Sequence, residues 1–156
     1  MTVPKRITGL RWLEGETVAV LGDGGVLSQA RVKDGAIELE QEVSVAHIGL
    51  PIVADIKTLP VVLQLNDGSF GQGHSKNINK LWAQVYQSSG FKAGMSFDKL
   101  IETKPRFEEP YGTPPTLFSG EVSLAPSTGW STDGALCLRQ DNPLPLTLVS
   151  LTWQFM

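Results

Sequence analysis

Two histidines, one cysteine and sixteen carboxylates are what this chain offers to chemistry. Nucleophilic catalysis needs a Ser, Cys or Thr beside a base, with donors placed to hold developing negative charge. Cys137 lies inside the alternating run Ala135-Leu136-Cys137-Leu138-Arg139, where a thiol packs as a small hydrophobe. No Gly-x-Ser-x-Gly elbow is present. His47 falls within an apolar stretch and reads as a satisfied core or edge residue. His74, in Gly71-Gln72-Gly73-His74-Ser75, reads as a solvated loop residue, the alternative being a catalytic or ligand-binding one. Metal sites need clustered ligands, and neither His-x-x-x-His nor Cys-x-x-Cys occurs; Asn66-Asp67-Gly68 is only a fragment of a calcium loop. Gly71-x-Gly73 alone does not make a dinucleotide or phosphate loop. No catalytic residue, cofactor or metal is expected.

Carboxylate pairs are the remaining catalytic option, since glycoside hydrolysis uses two acids about 5–9.5 Å apart. Glu14/Glu16, Glu38/Glu40 and Glu108/Glu109 are the possible pairs; acids two apart on a strand, as in the first two, project from one face about 7 Å apart. Nothing around them suggests the apolar pocket that would keep one acid protonated, so solvated faces are expected. Trp12, Trp82, Trp130 and Trp153 would make a sugar-stacking platform if exposed. Core packing is expected for most of them.

The elements that must carry these residues are strands. Thr17 to Leu21, the turn Gly22-Asp23-Gly24-Gly25 and Val26 to Val32 read as strand–turn–strand. Lys33-Asp34-Gly35 is a second turn. It opens the segment Ala36 to Val43, in which Ile37, Leu39 and Val43 share one face while Glu38, Glu40 and Glu42 form an acidic stripe on the other. Val43 to Ile48 and Val61 to Leu65 follow, with Pro51 and Pro60 marking strand starts or edges. Ile78 to Gln87 fits both periods. Its β surroundings and lack of a helix cap favour a strand with Leu81, Ala83 and Val85 on one face and Lys80, Trp82, Gln84 and Tyr86 on the other. Trp82 and Tyr86 are therefore the candidate interface, either docking to a partner or lying under the arm Pro105 to Pro115, which holds four of the ten prolines. Met95 to Thr103, Leu117 to Leu124, Ala135 to Arg139 and Leu146 to Phe155 complete the set, with a turn near Asp133-Gly134.

Short strands separated by Gly, Pro and Asp turns predict an all-β fold, an antiparallel sandwich or barrel with long loops. At 156 residues the chain reads as one domain, 1–156. Its 41% apolar and 19% charged residues are those of a globular protein rather than a disordered one. A net charge of −3 with scattered Lys and Arg argues against sequence-specific nucleic-acid binding, which needs a clustered cationic surface. One cysteine cannot form an internal disulfide. The Met1-Thr2-Val3-Pro4-Lys5-Arg6 start lacks a signal-like apolar stretch, and Leu144 to Trp153 is about half of the ~20 residues a membrane helix needs. A soluble protein made in the cytoplasm, with no membrane partner, is expected.

One ordered set of short blocks adds a resemblance. Gly9-Leu10-Arg11-Trp12-Leu13-Glu14-Gly15, running into a Val-rich strand and Asp23-Gly24, is followed by His47-Ile48-Gly49-Leu50-Pro51. Asn77-Ile78-Asn79-Lys80 with Val85-Tyr86-Gln87-Ser88-Ser89-Gly90 comes next, then Leu117-Phe118-Ser119-Gly120-Glu121 and Asp141-Asn142-Pro143-Leu144-Pro145-Leu146-Thr147. Together they resemble the C-terminal part of the tail nozzle or tail hub proteins of short-tailed bacteriophages, also called packaged-DNA stabilisation proteins. The resemblance implies a non-enzymatic virion component, assembled in the bacterial host's cytoplasm into a six-fold tail ring that DNA traverses, with other tail subunits as partners. Family members are several-fold longer, so the chain corresponds to an excised C-terminal domain or a prophage-derived protein. It is expected to be monomeric or weakly associated in isolation. The family's basic residues before the central strand are thinned here to Lys76 and Lys80. The alternative reading, from the tryptophans, is a carbohydrate-binding β-sandwich.

Overall fold

The computed structural model describes residues 5–62, 73–103, 115–126 and 129–155. The chain is all-β, and every strand pairing is antiparallel. Backbone contacts group it into two compact units. One comprises Met1–Val53, Arg106–Thr116 and Asp141–Leu144; the other comprises Ala54–Pro105, Leu117–Gln140 and Pro145–Met156.

In the first unit, β1 (Arg6–Thr8) leads to a 3-10 turn at Arg11–Leu13, then β2 (Thr17–Gly22) and β3 (Gly25–Arg31). The β2–β3 hairpin turns on Asp23 and Gly24, with φ of 48° and 81°. Positive φ at both central residues lets the turn follow the right-handed twist of its strands, hence the Asp-Gly pair. The next hairpin repeats the device, with Asp34 at 54° and Gly35 at 67° between Lys33 and Ala36, which exchange backbone hydrogen bonds of 3.0 Å. It delivers β4 (Ala36–Glu38), which pairs with β1, while β5 (Ala46–Gly49) completes the sheet β3-β2-β5. Val18, Val20, Val32, Ile37, Leu39 and Val43 build the core with Leu10 and Leu13.

The strand expected to run from Ala36 to Val43 stops at Glu38, and the chain bends at Glu40 and Gln41. The cause is its partner: β1 is only three residues long, so the ladder ends where Leu39 N–H donates to the Lys5 carbonyl. Leu39 and Val43 stay buried without a strand to alternate on.

The second unit is a small sandwich. Its strands are β6 (Ala54–Lys57), β7 (Ile78–Ser88), β8 (Lys92–Ser96), β9 (Lys99–Glu102), β10 (Phe118–Leu124), β11 (Cys137–Gln140) and β12 (Leu148–Phe155). They form two open sheets, β10-β7-β12 and β6-β11-β8-β9. Ile78, Leu81, Ala83 and Val85 from β7 pack against Phe91, Ala93, Leu136 and Leu138 of the second sheet and its flanks, the interdigitation that joins two stacked sheets. The segment with two competing periods is thus a strand, central in its sheet.

Met95 to Thr103, expected as one strand, is instead a hairpin, with β8 starting at Lys92 and a turn at Phe97–Asp98. Gly94 allows it. A Cβ there would sit 2.1 Å from the Lys99 carbonyl oxygen, so only a residue without a side chain lets β9 fold back this closely. Val61 and Val62 are not in a strand. The rest of Val61 to Leu65, the Asn66-Asp67-Gly68 turn and Glu108/Glu109 lie outside the described residues, as does the proline arm apart from Pro115.

Candidate docking face

The alternation along β7 divides its side chains between two environments. Leu81, Ala83 and Val85 enter the core, so Lys80, Trp82, Gln84 and Tyr86 must stand on the opposite face of the β10-β7-β12 sheet. The antiparallel register sets their neighbours. Trp82 lies between Ser123 of β10 and Thr152 of β12, and Gln84 between Glu121 and Ser150. Tyr86 is 55% exposed and Trp82 is half-buried, with the Lys80 ammonium 4.9 Å from its ring centroid. A cation over an indole face is attracted by the ring's negative face and holds the ring in place. The result is a face of two aromatic rings, about 13 Å apart along the strand, fringed by hydroxyl, amide and charged groups. The flanking residues on β10 and β12 could have been found by sequence only once the register was known.

The upper end of this face is fixed by hydrogen bonds. Tyr86 N–H donates to the Thr147 carbonyl. The buried Ser88 hydroxyl accepts from Thr147 N–H at 2.7 Å and donates to the Tyr86 carbonyl at 2.8 Å. Gln87 adopts a positive φ of 42°, and its N–H donates to the Ser119 hydroxyl at 2.8 Å.

The other sequence candidates have structural posts. The Glu14 carboxylate accepts from the N–H groups of Asp34 and Gly35 at 2.9 and 2.6 Å. Asp23 accepts from Ser44 and Val45 N–H, and these backbone donors hold its carboxyl below the usual value. Asp55 is held low chiefly by a two-pronged bond from Arg139, with both contacts at 2.7 Å. Cys137 is 2% exposed, and burial pushes its thiol up, away from the thiolate a nucleophile needs. His47 and His74 are exposed.

Glu38, Glu40 and Glu42 are exposed, but only Glu38 is on a strand. Glu38 and Glu40 line a cavity of about 290 Å³ beside Val26–Ala30, and Glu42 does not. The tryptophans depart from expectation, since none of the four is buried. Trp12 is 74% exposed and Trp130 62%. Trp12 occupies a 3-10 turn whose one inward position is taken by Leu13. Trp153 is half-buried at the core's margin, edge-on to Phe155 at 6.5 Å.

Among the described residues no group of three or more His, Cys, Asp or Glu could hold a metal, and no helix is long and apolar enough to cross a membrane. A scan against protein-family models and a search of curated proteins each gave no match.

Proposed function

We propose that the chain is a non-enzymatic structural module of a bacteriophage or prophage short tail, a domain of the nozzle or hub that DNA traverses. Its site of action is the virion tail and its partners are neighbouring tail subunits, in a ring of six-fold symmetry in the full-length context. The observation that carries this reading is the outer β10-β7-β12 face, where two large aromatics stand among polar side chains on a sheet whose other face is core. Aromatics of this kind supply much of the energy of protein interfaces. Support also comes from the residues that carry the family resemblance. Gly9, Gly15, Asp23 and Gly24 provide positive φ, Leu10 and Leu13 provide core, and Glu14 braces a turn. All are spent on building the fold. Glu38, Glu40 and Glu42 would face the conduit in such a ring, where like charge keeps phosphates from adhering.

Mass spectrometry of particles purified from the producing strain should find the chain in tail fractions. Trp82→Ala with Tyr86→Ala should leave the chain folded and lower its incorporation at least about tenfold, the loss expected for removing two interface anchors. Particles that lack the chain overturn the tail reading. A second reading, a carbohydrate-binding module, is favoured by the same rings being bordered by Ser, Thr and Gln, groups that hydrogen-bond sugar hydroxyls. Glycan-array binding with quenching of tryptophan fluorescence, abolished by Trp82→Ala, would establish it instead.

A further inference from the structure

Among the described residues β6 is an edge strand. It pairs there with β11 alone, all four of its residues are exposed, and Ile56 is 45% exposed among them. Its backbone polarity can be read from the neighbouring bonds. Ala54, Asp55, Ile56 and Lys57 stand opposite Gln140, Arg139, Leu138 and Cys137, and one step on, Thr58 N–H donates to the Leu136 carbonyl at 2.9 Å. Hydrogen-bonded and non-bonded pairs alternate in an antiparallel ladder. Ala54, Ile56 and Thr58 therefore turn their backbone groups toward β11, and Asp55 and Lys57 turn theirs to the free edge.

We propose that this edge pairs with itself: two copies of the chain join β6 to β6, antiparallel, about a two-fold axis at Ile56. Outward groups must meet outward groups, which leaves three registers within the strand. Two of them set Asp55 against Asp55 or Lys57 against Lys57, and like charges directly opposite are destabilising. The third sets Asp55 of each copy opposite Lys57 of the other, giving four backbone hydrogen bonds and two opposite-charge pairs. The same register brings the two Ile56 side chains together on the apolar side, extending the cross-sheet row Ile101, Ala93, Leu138, Ile56. On the other side Lys57 joins the row Arg139–Asp55. Charge complementarity thus selects a second copy, in one register.

The contact is small, well under the roughly 1,000 Å² of a stable interface, so association belongs in the high micromolar to millimolar range. A two-fold contact closes on itself and cannot generate a ring, so the inference stands apart from the tail reading. Sedimentation equilibrium tests it. The wild-type chain should rise from one-chain mass at about 10 µM toward two-chain mass near about 1 mM. Lys57→Glu alone and Asp55→Lys alone should each remain at one-chain mass, because each pairs like charges with itself. Their equimolar mixture should associate again. There the acid introduced at position 57 of one variant meets the lysine introduced at position 55 of the other, and the unaltered Asp55 of the first meets the unaltered Lys57 of the second.

A wild-type chain still at one-chain mass near 1 mM, a Lys57→Glu chain that associates as well as wild type, or a mixture of folded variants that stays apart would each overturn the proposal. Should Asp55→Lys fail to fold without its Arg139 contact, cysteine scanning decides. Facing residues of a non-bonded pair lie about 4.5 Å apart at Cα, within disulfide reach. Ile56→Cys should cross-link on mild oxidation at least about tenfold faster than Ala54→Cys, the buried Cys137 being out of reach; equal rates would overturn the proposal.

Discussion

Glu14, whose spacing from Glu16 permits a carboxylate pair, holds a turn by its position. It reaches across to two N–H groups of a turn some twenty residues later in the chain, and hydrogen bonds to a charged acceptor contribute more than neutral ones. Glu14→Ala should cost about 1–3 kcal/mol, measured by urea unfolding. Glu16→Ala, two residues on and exposed, should cost less than about 0.5 kcal/mol. Asp23 gives a pH signature. Its native carboxyl titrates below the ordinary 3.8 because Ser44 and Val45 N–H groups stabilise the charged form. A depressed native value stabilises the fold fully above the unfolded value and is lost as pH falls through the lowered one. Asp23→Asn should therefore be less stable than wild type at pH 7, and the gap should narrow toward about pH 3; a constant gap would refute the linkage. Neither role was legible in the sequence, because both partners are backbone groups about twenty residues away. The glycines and Asp-Gly pairs were legible, since positive φ is a local demand that few other residues meet.

At the scale of elements, its β surroundings and missing helix cap identified β7, and alternation then correctly divided its faces, because a strand between two partners buries one side whatever lies beyond. It failed where partners run out. Ala36 to Val43 alternates as clearly as almost any segment in the sequence, yet its strand is as short as β1 allows. Hydrophobic period reports burial, and hydrogen bonding follows the neighbour. The β8–β9 hairpin escaped for the opposite reason, since Phe97-Asp98 carries no glycine and the permissive residue, Gly94, lies inside the strand. Gly94→Ala should test that close approach. With the Lys99 backbone in the path of the new methyl, the hairpin must shift, at a cost of about 1–3 kcal/mol in chemical denaturation. Gly49→Ala, where a Cβ meets nothing within 4 Å, serves as the control and should cost far less. The tryptophans mark another limit, because residue type alone reports that a large ring wants cover, whereas the described strands leave all four at least partly open.

For the molecule as a whole, chain order and spatial order disagree. β7 is the middle strand of its sheet, yet both its neighbours, β10 and β12, come later in the sequence. Non-local pairings of this kind must meet the entropy of closing long loops before any contact rewards them. A ribosome delivers β7 with Leu81, Ala83 and Val85 prepared for a core that does not yet exist. Its first partner arrives as β10, and the second only as β12, the last of the described strands in chain order. Until then the longest described strand keeps at least one unpaired edge, the state in which chains find each other instead of themselves. Stalled nascent chains released before Leu148 should accordingly bind the holdase chaperones of a cell-free extract, and chains released after Phe155 should not.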